Sequence, residues 1–170
     1  MRRRIALSIL TGAMAIGLVA APAAAKSGAT IVDTAVAVNG ANGEFTYLIQ
    51  AVVKAGLVET LDGTRQFTVF APTDAAFEDL FDTLGVDGIA DIPTSTLKAV
   101  LLYHVAPGER FSGDVLDATR VRTMSKSFLF PSVKGGSPYI SGAQNTAEIV
   151  QPDVNASNGV IQVIDAVLLP

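Results

Sequence analysis

The sequence predicts an α+β domain, with helices gathered in its first half and strands in its second. Three observations carry that reading. Apolar residues recur at helical spacing in successive segments between Thr30 and His104. From Arg110 onward they come instead as short β-like pairs separated by Gly, Ser, Pro, Asn or Asp. One early strand, Phe67-Thr68-Val69-Phe70, interrupts the helical half. Blocks of helix followed by blocks of strand, without strict alternation, are the pattern of a sheet with helices segregated to one side.

Taken in order, Thr30-x-x-Asp33 is a capping-box start for a short helix through Val36, and Asn39-Gly40-Ala41-Asn42-Gly43 then breaks the chain. Phe45, Leu48, Ile49, Val52, Val53 and Leu57 fall on one helical face, with Gly56 near the end. The stretch Phe67 to Phe77 packs three instructions into a corner. Its aromatic and β-branched residues favour a buried strand. Ala71-Pro72 ends the ladder, since proline lacks an N–H and disfavours αR in the residue before it. Thr73 or Asp74 then caps a helix with Phe77, Leu80, Phe81 and Leu84 at i, i+3, i+4, i+7. Pro93-Thr94-Ser95 opens another helix that carries Leu97, Val100, Leu101 and His104 on one face, closed by Pro107-Gly108. Strands are expected around Val115/Leu116, Val121/Thr123, Phe128/Phe130, Tyr139/Ile140 and Ile149/Val150. Asn158-Gly159 is a hairpin turn signal, and the run from Val160 to Leu169 is apolar on nearly both faces, which suggests a central strand covered on both sides.

The first 25 residues form a leader. Arg2-Arg3-Arg4 is a basic start, Ile5 to Ala21 an apolar stretch and Ala23-Ala24-Ala25 a small-residue cleavage site before Lys26. The expected mature chain, residues 26–170, is one domain by length and buries about two-thirds of its unfolded surface. It holds nine basic and sixteen acidic residues, a side-chain charge of −7. Such a surface disfavours nucleic acid and anionic membranes, and no stable membrane insertion is expected after cleavage. Arg120, Arg122, Lys126 and Lys134 read as one solvated strand face. The chain has no cysteine, which excludes disulfides, thiolate metal sites and cysteine nucleophiles.

His104 is the only histidine. It has the chemistry of a general base or a metal ligand, yet no nucleophile elbow, paired-histidine zinc motif or phosphate-binding glycine loop accompanies it. The simpler reading is a core histidine hydrogen-bonded near a helix end. Asp74, Glu78, Asp79 and Asp82 crowd one helix. The early acids of that group favour the helix N-terminus without any metal.

The Phe67–Phe77 corner, Leu101-Leu102-Tyr103-His104-Val105 and the closing run Asn158 to Pro170 together resemble the ordered signatures of the fasciclin (FAS1) domain family. The resemblance spans about residues 28–170. It implies a compact α+β wedge with a mostly antiparallel sheet and helices packed along it. It also implies a non-enzymatic exported interaction module for adhesion, matrix or host-surface contact, secreted to the periplasm or exterior, whose partner is a protein or a surface glycan and which needs no cofactor. Tyr103 and His104 match a Tyr-His element linked in animal members to integrin engagement. Gln151-Pro152-Asp153-Val154 is similar to a Pro-Asp-Ile type of element of those members, with valine in place of isoleucine, so Tyr103, His104, Asp153 and Val154 are the candidate partner contacts. The simpler reading of Pro152-Asp153 is an ordinary turn. On a loop, Asp153→Ala is expected to change stability little. Two other functions stay open: a binder of a small ligand, glycan or lipid in a pocket between helices and sheet, and a hydrolase using His104 with a nearby Ser or Asp.

Overall fold

In the computed structural model, which describes residues 28–170, the capping box forms as the sequence predicts. Thr30 Oγ1 accepts the Asp33 N–H at 3.2 Å, and the Asp33 carboxylate accepts the Thr30 N–H at 3.2 Å. The helix it starts, α1 (Ile31–Asn42), runs well past Val36. The Asn-Gly run is its last turn and cap rather than a break. Gly43 adopts φ 70° and donates its N–H to Asn39 O at 2.7 Å, while the Asn39 side chain accepts from the Phe45 N–H at 2.9 Å. The leader expected over residues 1–25 lies outside the described residues.

The next helical stretch divides at Gly56 (φ 66°) into α2 (Thr46–Lys54) and α3 (Val58–Leu61). The strand–turn–helix corner is present as expected. β1 (Phe67–Pro72) leads to Thr73, whose hydroxyl accepts the Ala76 N–H at 3.4 Å and caps α4 (Asp74–Leu84). Phe67, Phe70 and Phe77 are all buried.

Two further elements differ from the sequence expectation. The helix α5 (Thr94–Tyr103) ends before Pro107, and the chain then forms β2 (Val105–Pro107), antiparallel to β1. Pro107 biases Ala106 towards extended backbone, and the free edge of β1 supplies the ladder. Val115 and Leu116 lie in a short helix, α6 (Ser112–Asp117), not a strand. Side-chain carboxylates decide that: Asp114 accepts the Phe111 N–H at 3.2 Å, and Asp153 accepts the Ser112 N–H at 2.6 Å. These are the orphan donors a helix start leaves behind.

The remaining strands are β3 (Val121–Arg122), β4 (Phe128–Lys134), β5 (Ser137–Ser141), β6 (Thr146–Ala156) and β7 (Gly159–Ile164). They complete a seven-stranded sheet in the order β2-β1-β7-β6-β5-β4-β3, antiparallel except for β1 and β7. β6 carries two register shifts along β7, which bend it so that its first residues pair with β5. The Met124 N–H donates to Val105 O at 2.7 Å, drawing the β3 end back to β2 and curling the sheet almost into a barrel.

The curl creates two cores. Phe67, Val69 and Ala71 of β1 and Ile161 and Val163 of β7 pack with the helices on the outer side. Phe70, Tyr103, Leu129, Ile140, Ile164 and Leu168 fill the inside of the curl. All six residues of β7 are buried, as a central strand requires. The strand ends at Ile164 instead of reaching Leu169, and the exposed Asp165 just beyond it turns to accept the Glu148 N–H at 2.7 Å.

Candidate functional site

The residues singled out in the sequence converge on the scaffold. Asn158 marks the β6–β7 turn, but its side chain does more than turn the chain. Its Oδ1 accepts the Ile31 N–H at 2.8 Å, and its Nδ2 donates to Leu61 O at 2.6 Å and Gly63 O at 2.9 Å. One buried amide therefore joins α1, α3 and the start of β1. Turn chemistry in the sequence signals the hairpin, whereas these long-range partners leave no local trace.

His104 is 2 % exposed and caps the end of α5. Its Nδ1–H donates to Val100 O at 2.7 Å, and its Nε2 accepts the Leu168 N–H at 2.8 Å. Both ring nitrogens are thus engaged in the neutral form. Burial lowers the imidazole pKa to about 4, against the raising effect of the Val100 carbonyl. Tyr103, 1 % exposed, lies edge-on to that ring at 6.5 Å. Its hydroxyl accepts the Ala143 N–H at 2.9 Å and donates to Phe128 O at 3.4 Å. The Tyr-His pair ties α5 to the C-terminal segment and to β4, and presents neither ring to solvent.

A depressed histidine pKa has a definite sign in stability. The unfolded chain takes up the proton near pH 6.5 and the folded chain only near pH 4. The contribution is therefore complete above about pH 6.5 and is lost as pH falls to about 4, a change of about 3 kcal/mol. Denaturant titrations across that window should show this loss in the wild type. In His104→Gln the stability should be lower at neutral pH and the loss across the window smaller. An identical pH dependence in the two proteins contradicts the assignment.

Asp153 sits at φ 60° on β6. Its Oδ1 accepts the Ser112 N–H at 2.6 Å and the Gln162 Nε2–H at 2.9 Å, and its Oδ2 accepts the Ser112 hydroxyl at 2.6 Å. Its own N–H donates to Gln162 Oε1 at 3.1 Å. Partial burial raises the carboxyl pKa, but the Ser112 hydroxyl, the Gln162 amide and the Ser112 N–H outweigh it, and the pKa is lowered. Val154 is half-buried against the helix-side core. The carboxylate thus caps α6 and fixes the fully buried Gln162. The expectation that Asp153→Ala leaves stability unchanged therefore needs correction. Hydrogen bonds to a charged group contribute about 1.5–3 kcal/mol, and chemical denaturation of Asp153→Ala should show a loss in that range. No loss would mean that Ser112 and Gln162 find equivalent partners.

Asp74, from the acidic group on α4, accepts the Tyr47 N–H at 2.9 Å and links α4 to the start of α2. Among the described residues no group of three His, Asp or Glu is arranged to hold a metal. The cavity between α1, α2, β1 and β7 is apolar and measures about 40 Å³; a second, beside His104 and Phe77, measures about 70 Å³. Pockets for small organic ligands are typically ~300–1,000 Å³. A larger depression between Arg110, Asp114 and Asp117, about 530 Å³, is shallow and open to solvent.

Two exposed aromatic rings stand together on the outer face of β3, β4 and β5. Leu129 and Val121 point inward and are fully buried, so alternation turns Phe128, Phe130 and Arg122 outward. Phe128 is 36 % and Phe130 49 % exposed. Arg122 pairs across the ladder with Phe128, and the Arg120 guanidinium lies 4.4 Å from the Phe128 ring centre. Arg120, Arg122, Lys126 and Lys134 are all exposed, as expected, but only Arg122 and Lys134 lie on strands; Arg120 precedes β3 and Lys126 sits in the β3–β4 turn. The alternation Phe128-Leu129-Phe130 was the signal for two surface rings, masked by their being hydrophobic.

A family model of the fasciclin domain matches residues 43–170. This chain belongs to the fasciclin domain family. The fasciclin domain described above is also similar to Protein sll1483 of Synechocystis sp., 38% identical over 164 residues that cover 89% of this chain and 79% of the relative. It is similar to transforming growth factor-beta-induced protein ig-h3 of Sus scrofa, 32% identical over 126 residues, 74% of this chain but 18% of that protein. Immunogenic protein MPB70 of Mycobacterium bovis is 31% identical over 124 residues, 69% of this chain and 56% of the relative. Among solved structures, a FAS1 domain pair from the insect cell adhesion molecule Fasciclin I aligns with a TM-score of 0.69 at 18% identity, covering 84% of this chain and 51% of that one. That likeness shows the fold alone: the α+β fasciclin wedge with its mostly antiparallel sheet.

Proposed function

We propose that this fasciclin domain is an exported, non-enzymatic interaction module that attaches to an extracellular or cell-surface partner, a protein or a surface glycan. Export rests on the basic, apolar and small-residue order of residues 1–25, with cleavage after Ala25. Among the described residues, no helix is long and apolar enough to cross a membrane. One observation carries the reading. Tyr103, His104 and Asp153 are held in internal hydrogen bonds, whereas Phe128 and Phe130 stand on an outer strand face flanked by free basic side chains. Exposed apolar residues rimmed by polar ones mark interaction surfaces. The adhesion molecule Fasciclin I, with the same fold, fits this reading. In this reading Asp153 and Val154 belong to the scaffold, and contact passes through the β3–β5 face.

Labelled mature domain, residues 26–170, should bind saturably to intact cells or matrix of its own producer. Replacing both rings, Phe128→Ser with Phe130→Ser, should weaken that binding by about tenfold or more, as loss of an interface anchor does, with an unchanged melting temperature. Unaltered binding by the double variant contradicts the assignment of the face.

A further inference from the structure

The β3–β5 face carries a charge pattern that identifies its partner more closely. Between Asp117 and Glu148 the chain has no acidic residue and four basic ones, Arg120, Arg122, Lys126 and Lys134. Elsewhere the described residues hold sixteen acids against four bases. Of those four, Lys54 is committed: its ammonium donates to the carbonyls of Ile89, Ala90 and Ile92 at 2.7–2.8 Å. Arg65 and Lys98 are exposed on other elements, but only here do four basic residues gather in a stretch that holds no acid. There the two phenylalanines lie among them.

Ladder registration makes this face continuous. Arg122 faces Phe128 on the neighbouring strand. Phe130 faces Ser141, which faces Thr146, and the two hydroxyls hydrogen-bond to each other at 2.9 Å. In the next row Ser132 faces Tyr139, with the Lys134 ammonium 5.3 Å from the tyrosine ring centre. Rings, hydroxyls and cations thus share these adjacent strands with one carboxylate, Glu148, which faces Tyr139 and accepts its hydroxyl at 2.9 Å.

We propose that this face binds an acidic polysaccharide, a polymer of uronic acid residues. This rests on the reading of the domain as an interaction module and names the chemistry of its partner. The C–H faces of sugar rings are apolar plates that suit a half-exposed phenylalanine, and their hydroxyls suit Ser141 and Thr146. The uronate carboxylates suit Arg120 and Arg122, whose planar guanidinium groups bind carboxylate through two parallel hydrogen bonds. An extended chain also fits along a row of adjacent strands, whereas the cavities of 40 and 70 Å³ admit no sugar. Two other polyanionic partners suit the face less well. The Arg120 guanidinium covers the Phe128 ring at 4.4 Å, which suits a stacked ligand better than insertion of the bare ring into a lipid surface. Nucleic acid, with about one charge per 1.7 Å of duplex, meets stronger repulsion from the acidic remainder of the domain than a polymer with one charge per sugar does.

The test is a binding titration of mature domain with four probes: polygalacturonate, neutral dextran, phosphatidylglycerol vesicles and single-stranded DNA. Polygalacturonate should bind, dextran should not, and binding should weaken as salt rises. Arg120→Ser with Arg122→Ser should reduce polygalacturonate affinity about tenfold or more, and so should Phe130→Ser, while melting temperatures stay at the wild-type value. Conservative Arg120→Lys with Arg122→Lys should restore part of the affinity, since charge returns without the bidentate geometry. Failure of polygalacturonate to bind, equal binding by the arginine variant, or tighter binding to vesicles or DNA each overturns the proposal. If cell attachment still depends on Phe128 and Phe130 while polygalacturonate does not bind, the interaction module stands and only the acidic polysaccharide falls.

Discussion

Gly159→Ala is expected to abolish the folded domain at ordinary temperatures. A Cβ at position 159 would lie 1.9 Å from the Phe67 carbonyl oxygen and 2.9 Å from both its carbon and Ile31 Cδ1. The nearest obstacle is backbone, in the one parallel pairing of the sheet, where Phe67 and Gly159 are register partners. Relief requires β7 to move away from β1, and both strands are buried along their whole length. Neighbouring Asn158 makes any such shift worse, because its side chain is fixed to Ile31, Leu61 and Gly63. The cost should exceed about 4–5 kcal/mol, the range reached only by severe core disruption, within a total stability of ~5–15 kcal/mol for a typical domain. Circular dichroism and denaturant titration of purified protein check it. A cooperative transition within a few degrees of wild type would mean that the two strands do not approach this closely.

Phe70→Ala should be nearly as damaging. Phe70 is fully buried and lies inside the curl of the sheet with Tyr103, Ile164 and Leu168, while its neighbours Phe67 and Val69 face the helices. Its N–H also donates to His104 O at 2.8 Å, so the side chain fills the space that the β1–β2 pairing encloses. Truncating a phenylalanine in such a place costs about 3–5 kcal/mol, since the cavity left behind closes only in part. The denaturation midpoint should fall with little change in slope. A midpoint equal to that of wild type would place the ring at the surface and the inner core elsewhere.

The residues that were legible in sequence are those whose role is local. The Thr30 capping box and the Phe67–Phe77 corner each depend on neighbours within a few positions, and each formed as read. β2 and α6 did not, because their partners are remote. Val105 becomes a strand residue through Val69, and Ser112 starts a helix through Asp153, forty-one positions away. The same distinction governs the site. His104 could be recognised as a core residue from the apolar face it shares with Leu97 and Leu101, but its Leu168 partner is invisible in sequence. Asp153 looks like a free loop carboxylate until Ser112 and Gln162 are brought to it. Conversely, the exposed rings of Phe128 and Phe130 look like core until the curl of the sheet places Leu129 inside and both of them outside.

The central claim is that the Tyr-His pair builds the scaffold and the β3–β5 face makes the contacts. Cell-attachment isotherms of His104→Gln and of Phe128→Ser with Phe130→Ser, each measured at a temperature where both are folded, separate the two roles most directly. The account predicts near wild-type attachment for His104→Gln despite its lower stability, and attachment weakened about tenfold or more for the double variant at unchanged stability. Loss of attachment in folded His104→Gln, with full attachment by the double variant, would contradict it.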